Sequence, residues 1–215
     1  MEQIELAQRE ITKAALSFIT DSDFALAGSG AIREHGLINR PTEDIDLFTT
    51  DMDPASFDRN VDLIIDGLAS NGYRVMPRQR AERFARLIVG KDNLIVNIDL
   101  GVDWRENQPV VMDIGPVLNR KDAVASKAST LFSRTEARDF LDVDRIRTSG
   151  YYSDDELLDM IRCRDLGFDL DVFIQLLKYV DRLKPYQVNA YGVSAEQLDE
   201  VKARFNAWVE TLRKL

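Results

Sequence analysis

The sequence predicts an α/β (α+β) fold: a small mixed sheet with its helices in residues 1–116, then an α-helical domain in 117–215. Three observations carry this. Short apolar runs bounded by turn residues, the mark of strands, occur only before Pro116. Segments with helical apolar spacing lie among them. After Pro116 the spacing is helical throughout, so strands and helices give way to helices alone.

The elements follow in order. Ile4 to Ile19 predicts an amphipathic helix, with Ile4, Ala7, Ile11, Ala14, Ala15 and Phe18 on one stripe. Phe24 to Ala27 predicts a short buried strand that ends at Gly28, and Ser29 to Glu34 starts a helix. Ile45 to Phe48 is a second strand. Pro54 to Ser70 is a helix stopped by Asn71 and Gly72. Phe84 to Val89 and Leu94 to Leu100 form an antiparallel hairpin across the turn Gly90-Lys91-Asp92-Asn93. Farther on, Ser153 with Glu156, and Ser194 with Gln197, have the spacing of capping boxes that open helices. Pro185 is expected to end a helical region. No repeat or low-complexity tract is present.

Composition excludes several classes. The chain has 215 residues, enough for a sizeable core. No apolar run approaches the length of a membrane span, and the N-terminus has neither a basic start nor an apolar h-region. A cytoplasmic protein is expected. The lone cysteine, Cys163, cannot make an internal disulfide, and one cysteine with one histidine, His35, excludes the usual structural zinc site. His35 lies beside Gly36 after a helix and reads as an ordinary polar residue. A net charge of −9 argues against wholesale coating of nucleic acid.

The charge is unevenly placed. Glu43 to Asp66 holds eight acidic residues and one basic one, Arg59. Arg78 to Lys91 holds four arginines and one lysine against Glu82. Asn119 to Thr148 has seven basic residues and five acidic ones. An acidic centre between basic segments suits a metal with a polyphosphate or nucleic-acid substrate. The plain alternative is solvated surface charge.

The stretch Leu26 to Leu47, "LAGSGAIREHGLINRPTEDIDL", concentrates the chemistry. Alternate residues of a strand share a face, so Asp44 and Asp46 point together while Ile45 and Leu47 point into the core. Two adjacent carboxylates repel, and a divalent cation removes that cost. Magnesium is expected, with manganese as a substitute, because hard cations take carboxylate and phosphate oxygens. Gly28-Ser29-Gly30 stands after a strand and before a helix, where backbone N–H groups can receive phosphate. Taken singly, a Gly-Ser-Gly is a turn and an Asp-x-Asp is a surface pair. Together and in this order they read as phosphate cradle plus metal carboxylates.

The form apolar-Gly-Ser, then Asp-x-Asp flanked by apolar residues, resembles the signature of nucleotidyltransferases related to DNA polymerase β. That resemblance implies a third carboxylate on a later strand, and Asp99 in "LIVNIDL" matches; its rival Asp103 lies past Gly101, in loop. A narrower resemblance joins "NRPTEDIDLFT" to "SKASTLFSRTEARDFLDVDRI". Both are similar to segments of the AbiEii/AbiGii nucleotidyltransferase toxins, with Arg40, Thr42, Asp44 and Asp46 at matching positions of the first. Thr42 stands where serine is common and keeps the hydroxyl. The likeness spans about Phe24 to Ile146.

The resemblance implies roles. Gly28, Ser29 and Thr42 are expected at the nucleotide, and Asp44, Asp46 and Asp99 at the metal, with Asp99 alternatively the base toward an acceptor hydroxyl. Lys127 is expected at the triphosphate; its plain alternative is an exposed helix lysine. Asp142, on one helix face with Asp139, is expected to position Lys127 or the base. Arg134, Arg138 and Arg86 are weaker candidates for RNA. Tyr151, Tyr152, Tyr186 and Tyr191 could stack on bases or simply pack. The expected partners are an NTP, tRNA as acceptor and a cognate antitoxin, with no membrane.

The expected function is a toxin of a bacterial toxin–antitoxin or abortive-infection system that adds nucleotides to the 3′ end of tRNA and blocks translation. A nucleotidyltransferase acting on a protein or small molecule is the alternative, and a non-enzymatic nucleotide-binding module is the third. The full carboxylate set speaks against the third, and the Lys127–Asp142 segment favours the first over the second.

Overall fold

The computed structural model describes residues 2–214. The chain divides into two compact units, Met1–Glu34 with Pro41–Asp122, and His35–Arg40 with Ala123–Leu215. The division thus falls a few residues beyond Pro116, and a six-residue loop from the N-terminal half joins the helical unit.

The first unit runs α1 (Glu2–Ser17), β1 (Ala25–Leu26), α2 (Gly28–Glu34), β2 (Asp44–Thr49), α3 (Pro54–Ser70), β3 (Arg74–Ala81), β4 (Phe84–Lys91), β5 (Leu94–Val102), β6 (Val110–Met112) and β7 (Gly115–Val117). The strands form one mixed sheet in the order β3-β4-β5-β2-β1-β7-β6. β2 pairs with β5, and β1 with β7, in parallel; the other neighbours are antiparallel.

Local chemistry explains these boundaries. Asp53 caps α3 by accepting the Ala55 and Ser56 N–H groups, Pro54 takes the first turn, and Asn71 closes the helix. α3 buries Phe57, Val61, Ile64 and Leu68. Ile45, Leu47, Ala85, Leu87, Val96, Ile98 and Leu100 of the central strands are buried with them. Arg80, opposite buried Ala85, reaches Asp58 and Asp62 of α3, so α3 covers the apolar face of the sheet. Each fully buried Leu, Ile or Phe stabilises by about 1.5–3 kcal/mol. The opposite face of the central strands holds the alternate residues, the polar Asp44, Asp46, Arg86, Asn97 and Asp99 among the apolar Phe48, Phe84, Ile88 and Ile95.

Three strands lie outside the sequence expectation. β3 has almost every side chain exposed, so no apolar alternation marks it. It is an edge strand, which is why Pro77 is tolerated there, with a register shift between Pro77 and Gln79. β6 and β7 have three residues each, too few for a periodic signal.

Helix α4 (Arg120–Ser133) runs across the boundary at Asp122 into the second unit. There follow α5 (Ala137–Thr148), α6 (Asp154–Arg164), α7 (Leu170–Leu177), a 3₁₀ turn over Lys178–Arg182, α8 (Pro185–Val188), a second 3₁₀ turn over Asn189–Tyr191, and α9 (Ala195–Leu212). The core gathers Leu131, Phe140, Ile161, Phe173, Leu177, Phe205 and Trp208. Phe140 meets Phe205 edge-on with ring centroids 5.1 Å apart, and Phe173 meets Trp208 edge-on at 5.6 Å. Both capping boxes form, Ser153 with Glu156 and Ser194 with Gln197. Pro185 corrects the sequence reading. It does not end a helical region but opens α8 in the first turn, where its missing N–H costs nothing.

Candidate functional site

The polar face of β2 carries the paired carboxylates. Ile45 and Leu47 are buried, while Asp44 and Asp46 are half-buried on the other side. The ladders extend that face in rows. Asp44 lies opposite Asn97 of β5, and Asn97 opposite Ile88 of β4. Asp46 lies opposite Asp99, and Asp99 opposite Arg86. The Asp46–Asp99–Arg86 row therefore crosses three adjacent strands on one face.

Arg86 forks onto Asp99. Its Nε donates to Oδ1 at 2.6 Å and its Nη2 to Oδ2 at 2.5 Å. The Asp99 side chain is 11% exposed and the Arg86 side chain 42%. These hydrogen bonds raise the guanidinium pKa above its ordinary value, the charge of Asp99 adds to them, and Asp44 and Asp46 contribute further. Arg86 is therefore charged at physiological pH.

The donor set can be tested for a hard cation. Asp44 and Asp46 fit: two half-buried carboxylates at alternate positions on one strand face. Asp99 fits less well, because each of its oxygens already spends one of its two lone pairs on Arg86. Among the described residues no group of three Asp, Glu, His or Cys is disposed to hold a metal ion.

Gly28 adjoins the carboxylates. The Ala27 N–H donates to the Asp46 carbonyl at 2.8 Å, which brings the start of α2 alongside β2. A Cβ on Gly28 would sit 1.8 Å from Asp46 Oδ2, and its φ is +53°. Only glycine meets both demands. Ser29 is half-buried beside it. Thr42 is differently placed: it is buried, its hydroxyl donates to Gln8 Oε1 at 2.9 Å and accepts from Arg33 at 3.3 Å, and its carbonyl accepts from Gln8. It ties α1 and α2 to the loop before β2.

The second unit holds a ladder of alternating charge, buried at Arg40, Asp142, Lys127 and Asp139 and exposed at Arg134. Arg40 Nε and Nη2 each donate to Asp142 at 2.6 Å. Lys127 Nζ lies 3.0 Å from Asp142 Oδ2 and 3.3 Å from Asp139 Oδ1. Arg134 in turn forks onto Asp139 at 3.0 and 3.2 Å, which raises the pKa of its guanidinium. Asp139 and Asp142 share one face of α5 and have no exposed surface; Lys127 is 5% exposed. Lys127 is therefore not an exposed helix lysine. Arg138 pairs with Glu136 at 2.8 Å.

The basic segment before Lys91 is less available than its sequence suggests. Arg80 is tied to Asp58 and Asp62, and Arg86 to Asp99. Arg78 and Arg83 are exposed. Tyr151 and Tyr186 are exposed, whereas Tyr191 packs against the second core and lies 5.1 Å below the Arg40 guanidinium.

Three partnerships of the site residues escaped the sequence reading: Arg40 with Asp142, Arg134 with Asp139, and Arg86 with Asp99. The last had a signal. A hairpin whose loop is Asp92-Asn93 pairs Lys91 with Leu94, and counting back places Arg86 opposite Asp99.

The comparisons agree with this architecture. A family model described as nucleotidyl transferase AbiEii toxin, type IV toxin–antitoxin system, matches residues 15–214. No curated protein matches the chain. The crystal structure of JHP933 from Helicobacter pylori is similar at 18% identity with a TM-score of 0.61, over 100% of this chain and 93% of that one. MenT4, a nucleotidyltransferase toxin from Mycobacterium tuberculosis, is similar at 17% identity with a TM-score of 0.57, over 97% of this chain and 83% of that one. At these identities the structural likeness speaks for the fold.

Proposed function

The chain belongs to the AbiEii nucleotidyl transferase toxin family, and on that premise we propose that it transfers nucleotides from an NTP to the 3′ end of tRNA, with a divalent cation held at Asp44 and Asp46. That it is a nucleotidyltransferase of the toxin type, acting with a nucleotide substrate, follows from the family. The acceptor, the cation, the role in abortive infection and control by a cognate antitoxin are our reading.

The observation that carries it is the packing of Asp46 against Gly28, on a strand face that also presents Asp44. This couples the small-residue turn to the paired carboxylates in one unit of structure. Gly28 and Ser29 bind the phosphates of the donor. Asp44 and Asp46 hold magnesium, or manganese in its place. The bound cation would neutralise phosphate charge and orient the donor. Lys127 takes triphosphate charge by the family motif, and Asp142 holds it in place, as their 3.0 Å contact supports. For the acceptor, exposed Arg78 and Arg83 are the cations with room for RNA phosphates, with Arg134 and Arg138 behind them in rank. No helix among the described residues is long and apolar enough to cross a membrane.

The experiment is transfer of labelled nucleotide to intact tRNA and to tRNA whose 3′ terminus has been oxidised with periodate. Label on intact tRNA alone is expected, because oxidation destroys the acceptor hydroxyl. Label that persists on oxidised tRNA, or that enters only a protein of the same extract, overturns the tRNA acceptor and promotes a protein-modifying transferase.

A further inference from the structure

Asp99 occupies the place where a third cation ligand is expected, yet each of its oxygens accepts from one guanidinium. The fork spends one lone pair on each oxygen and commits the carboxylate toward Arg86 of β4, whereas Asp46, its other neighbour along the row, lies on β2. Arg86, in contrast, is only half used. The fork engages Nε and Nη2 and leaves Nη1 without a hydrogen-bond partner among the described residues. A guanidinium carries five N–H donors in a rigid plane, so a fixed fork on one edge holds the other edge in a set direction. Its side chain is 42% exposed, which leaves that edge reachable. Phe84 on the same strand lies beside it, with the guanidinium 6.0 Å from the ring centroid.

We infer that Arg86 is a phosphate-binding residue on the Asp44–Asp46 face, and that Asp99 is its positioning residue rather than a third ligand for the cation. This deepens the proposed function and rests on its placement of the cation at Asp44 and Asp46. Charge agrees with the assignment. With Arg86 in place, the three carboxylates of the face carry a net charge of −2, which one divalent cation balances. In the nucleotide-free protein a second cation with Arg86 still paired would overshoot. The phosphate comes from one of two sources, the nucleotide donor or the RNA acceptor, and both offer the same oxygens to a planar cation.

The test separates cation from phosphate. Manganese alone is titrated into the nucleotide-free protein and followed by electron paramagnetic resonance. One ion per chain is expected, lost in Asp46→Asn, and kept in Asp99→Asn and Arg86→Gln within about threefold in affinity. Inorganic tripolyphosphate, and separately a short single-stranded RNA, are then titrated by calorimetry. Arg86→Gln and Asp99→Asn are each expected to weaken at least one of them by about tenfold. Arg86→Lys should not restore it, because lysine cannot hold Asp99 with one edge and phosphate with the other. The double variant Arg86→Gln/Asp99→Asn leaves no unpaired buried charge and should bind no worse than either single variant. Loss confined to tripolyphosphate assigns Arg86 to the donor; loss confined to RNA assigns it to the acceptor. Unchanged binding of both overturns the inference. So does loss of manganese in Asp99→Asn, or a second ion in Arg86→Gln, since either makes Asp99 a metal ligand that Arg86 merely covers. A native protein that binds no manganese refutes the cation site of the proposed function, while the phosphate titrations still decide the role of Arg86.

Discussion

The Arg40 guanidinium forks onto the Asp142 carboxylate with both contacts at 2.6 Å, and the same carboxylate lies 3.0 Å from the Lys127 ammonium. All three groups are buried. Removing Arg40 deletes two short charge-assisted hydrogen bonds and leaves buried Asp142 sharing Lys127 with Asp139, a loss on the order of the 3–5 kcal/mol of a broken buried pair. Arg40→Ala is therefore expected to lower the denaturant midpoint of the protein by a correspondingly large amount. Arg138→Ala, which deletes a partly exposed pair with Glu136, should cost under about 1 kcal/mol. Equal effects for the two variants would show that the Arg40 pair is not closed in solution.

Asp46→Asn should abolish nucleotide transfer and leave the fold intact. The change removes one charge and keeps the side-chain size. Asp44 and Asp46 lie on one face, so the variant also relieves repulsion in the cation-free protein. A melting temperature at or above that of the parent is expected, together with lost transfer at saturating magnesium. Transfer at the parent rate would remove Asp46 from the mechanism.

Two glycines give a controlled comparison. Gly28 and Gly36 both have positive φ, +53° and +73°. Alanine at either position bears the left-handed backbone cost of about 1–2 kcal/mol. Only at Gly28 does the new Cβ meet an obstacle, Asp46 Oδ2 at 1.8 Å; at Gly36 nothing lies within 4 Å. Gly28→Ala must displace the Asp46 carboxylate, so it should lose transfer by far more than its stability loss accounts for. Gly36→Ala should be mildly less stable and close to fully active. The pair of rate and melting measurements decides the matter, and an active Gly28→Ala would mean that the turn and the carboxylate do not work together.

How much of this was legible depends on how local each signal was. The Asp-x-Asp pair was readable because strand periodicity alone sends Asp44 and Asp46 one way and Ile45 and Leu47 the other, as burial shows. Helix α3 was readable to the residue because Asp53, Pro54 and Asn71 mark both its ends. Strand β3 was not, since an exposed edge strand has no core to alternate against. Nor was the fate of the arginines. Composition counted four of them between Arg78 and Lys91 as one basic patch, but pairing ties Arg80 to α3 and Arg86 to Asp99. Ion-pair partners far apart in sequence, Arg40 and Asp142 above all, depend on tertiary packing that no window of residues contains.

The Arg80 clamp makes a prediction about pH. Its hydrogen bond to Asp62 lowers the pKa of that carboxyl below its ordinary value of 3.8, against a smaller opposing effect of desolvation. A carboxyl with a depressed folded pKa stabilises fully above its unfolded value, and that stabilisation is lost as pH falls through the folded value. Both partners are well exposed, so the effect is small, within the ~1 kcal/mol typical of surface pairs. Arg80→Ala should melt slightly below the parent at pH 6–7, and the gap should close below about pH 4. A gap that widens in acid would contradict the pairing.

The salt dependence of RNA binding follows from the same accounting of arginines. Each phosphate neutralised on a single strand contributes roughly −0.7 to the slope of log affinity against log salt, and on a duplex roughly −0.9. A protein of net charge −9 gains nothing from long-range attraction, and screening confines its repulsion to about 8 Å at physiological salt. Binding then rests on the few cations that can touch phosphate. Arg78 and Arg83 are exposed, while Arg80 is held by two aspartates. Two or three contacts give a slope of about −2, far shallower than the slope near −10 of a protein that coats nucleic acid. Arg78→Ala or Arg83→Ala should each reduce the slope by a little under one and weaken binding alike for all sequences, because phosphate contacts carry no base information. Arg80→Ala should leave the slope unchanged. Titration of tRNA at a series of potassium chloride concentrations measures all four proteins, and a parent slope steeper than about −5, or one that falls on loss of Arg80, would place the RNA on a surface other than this one.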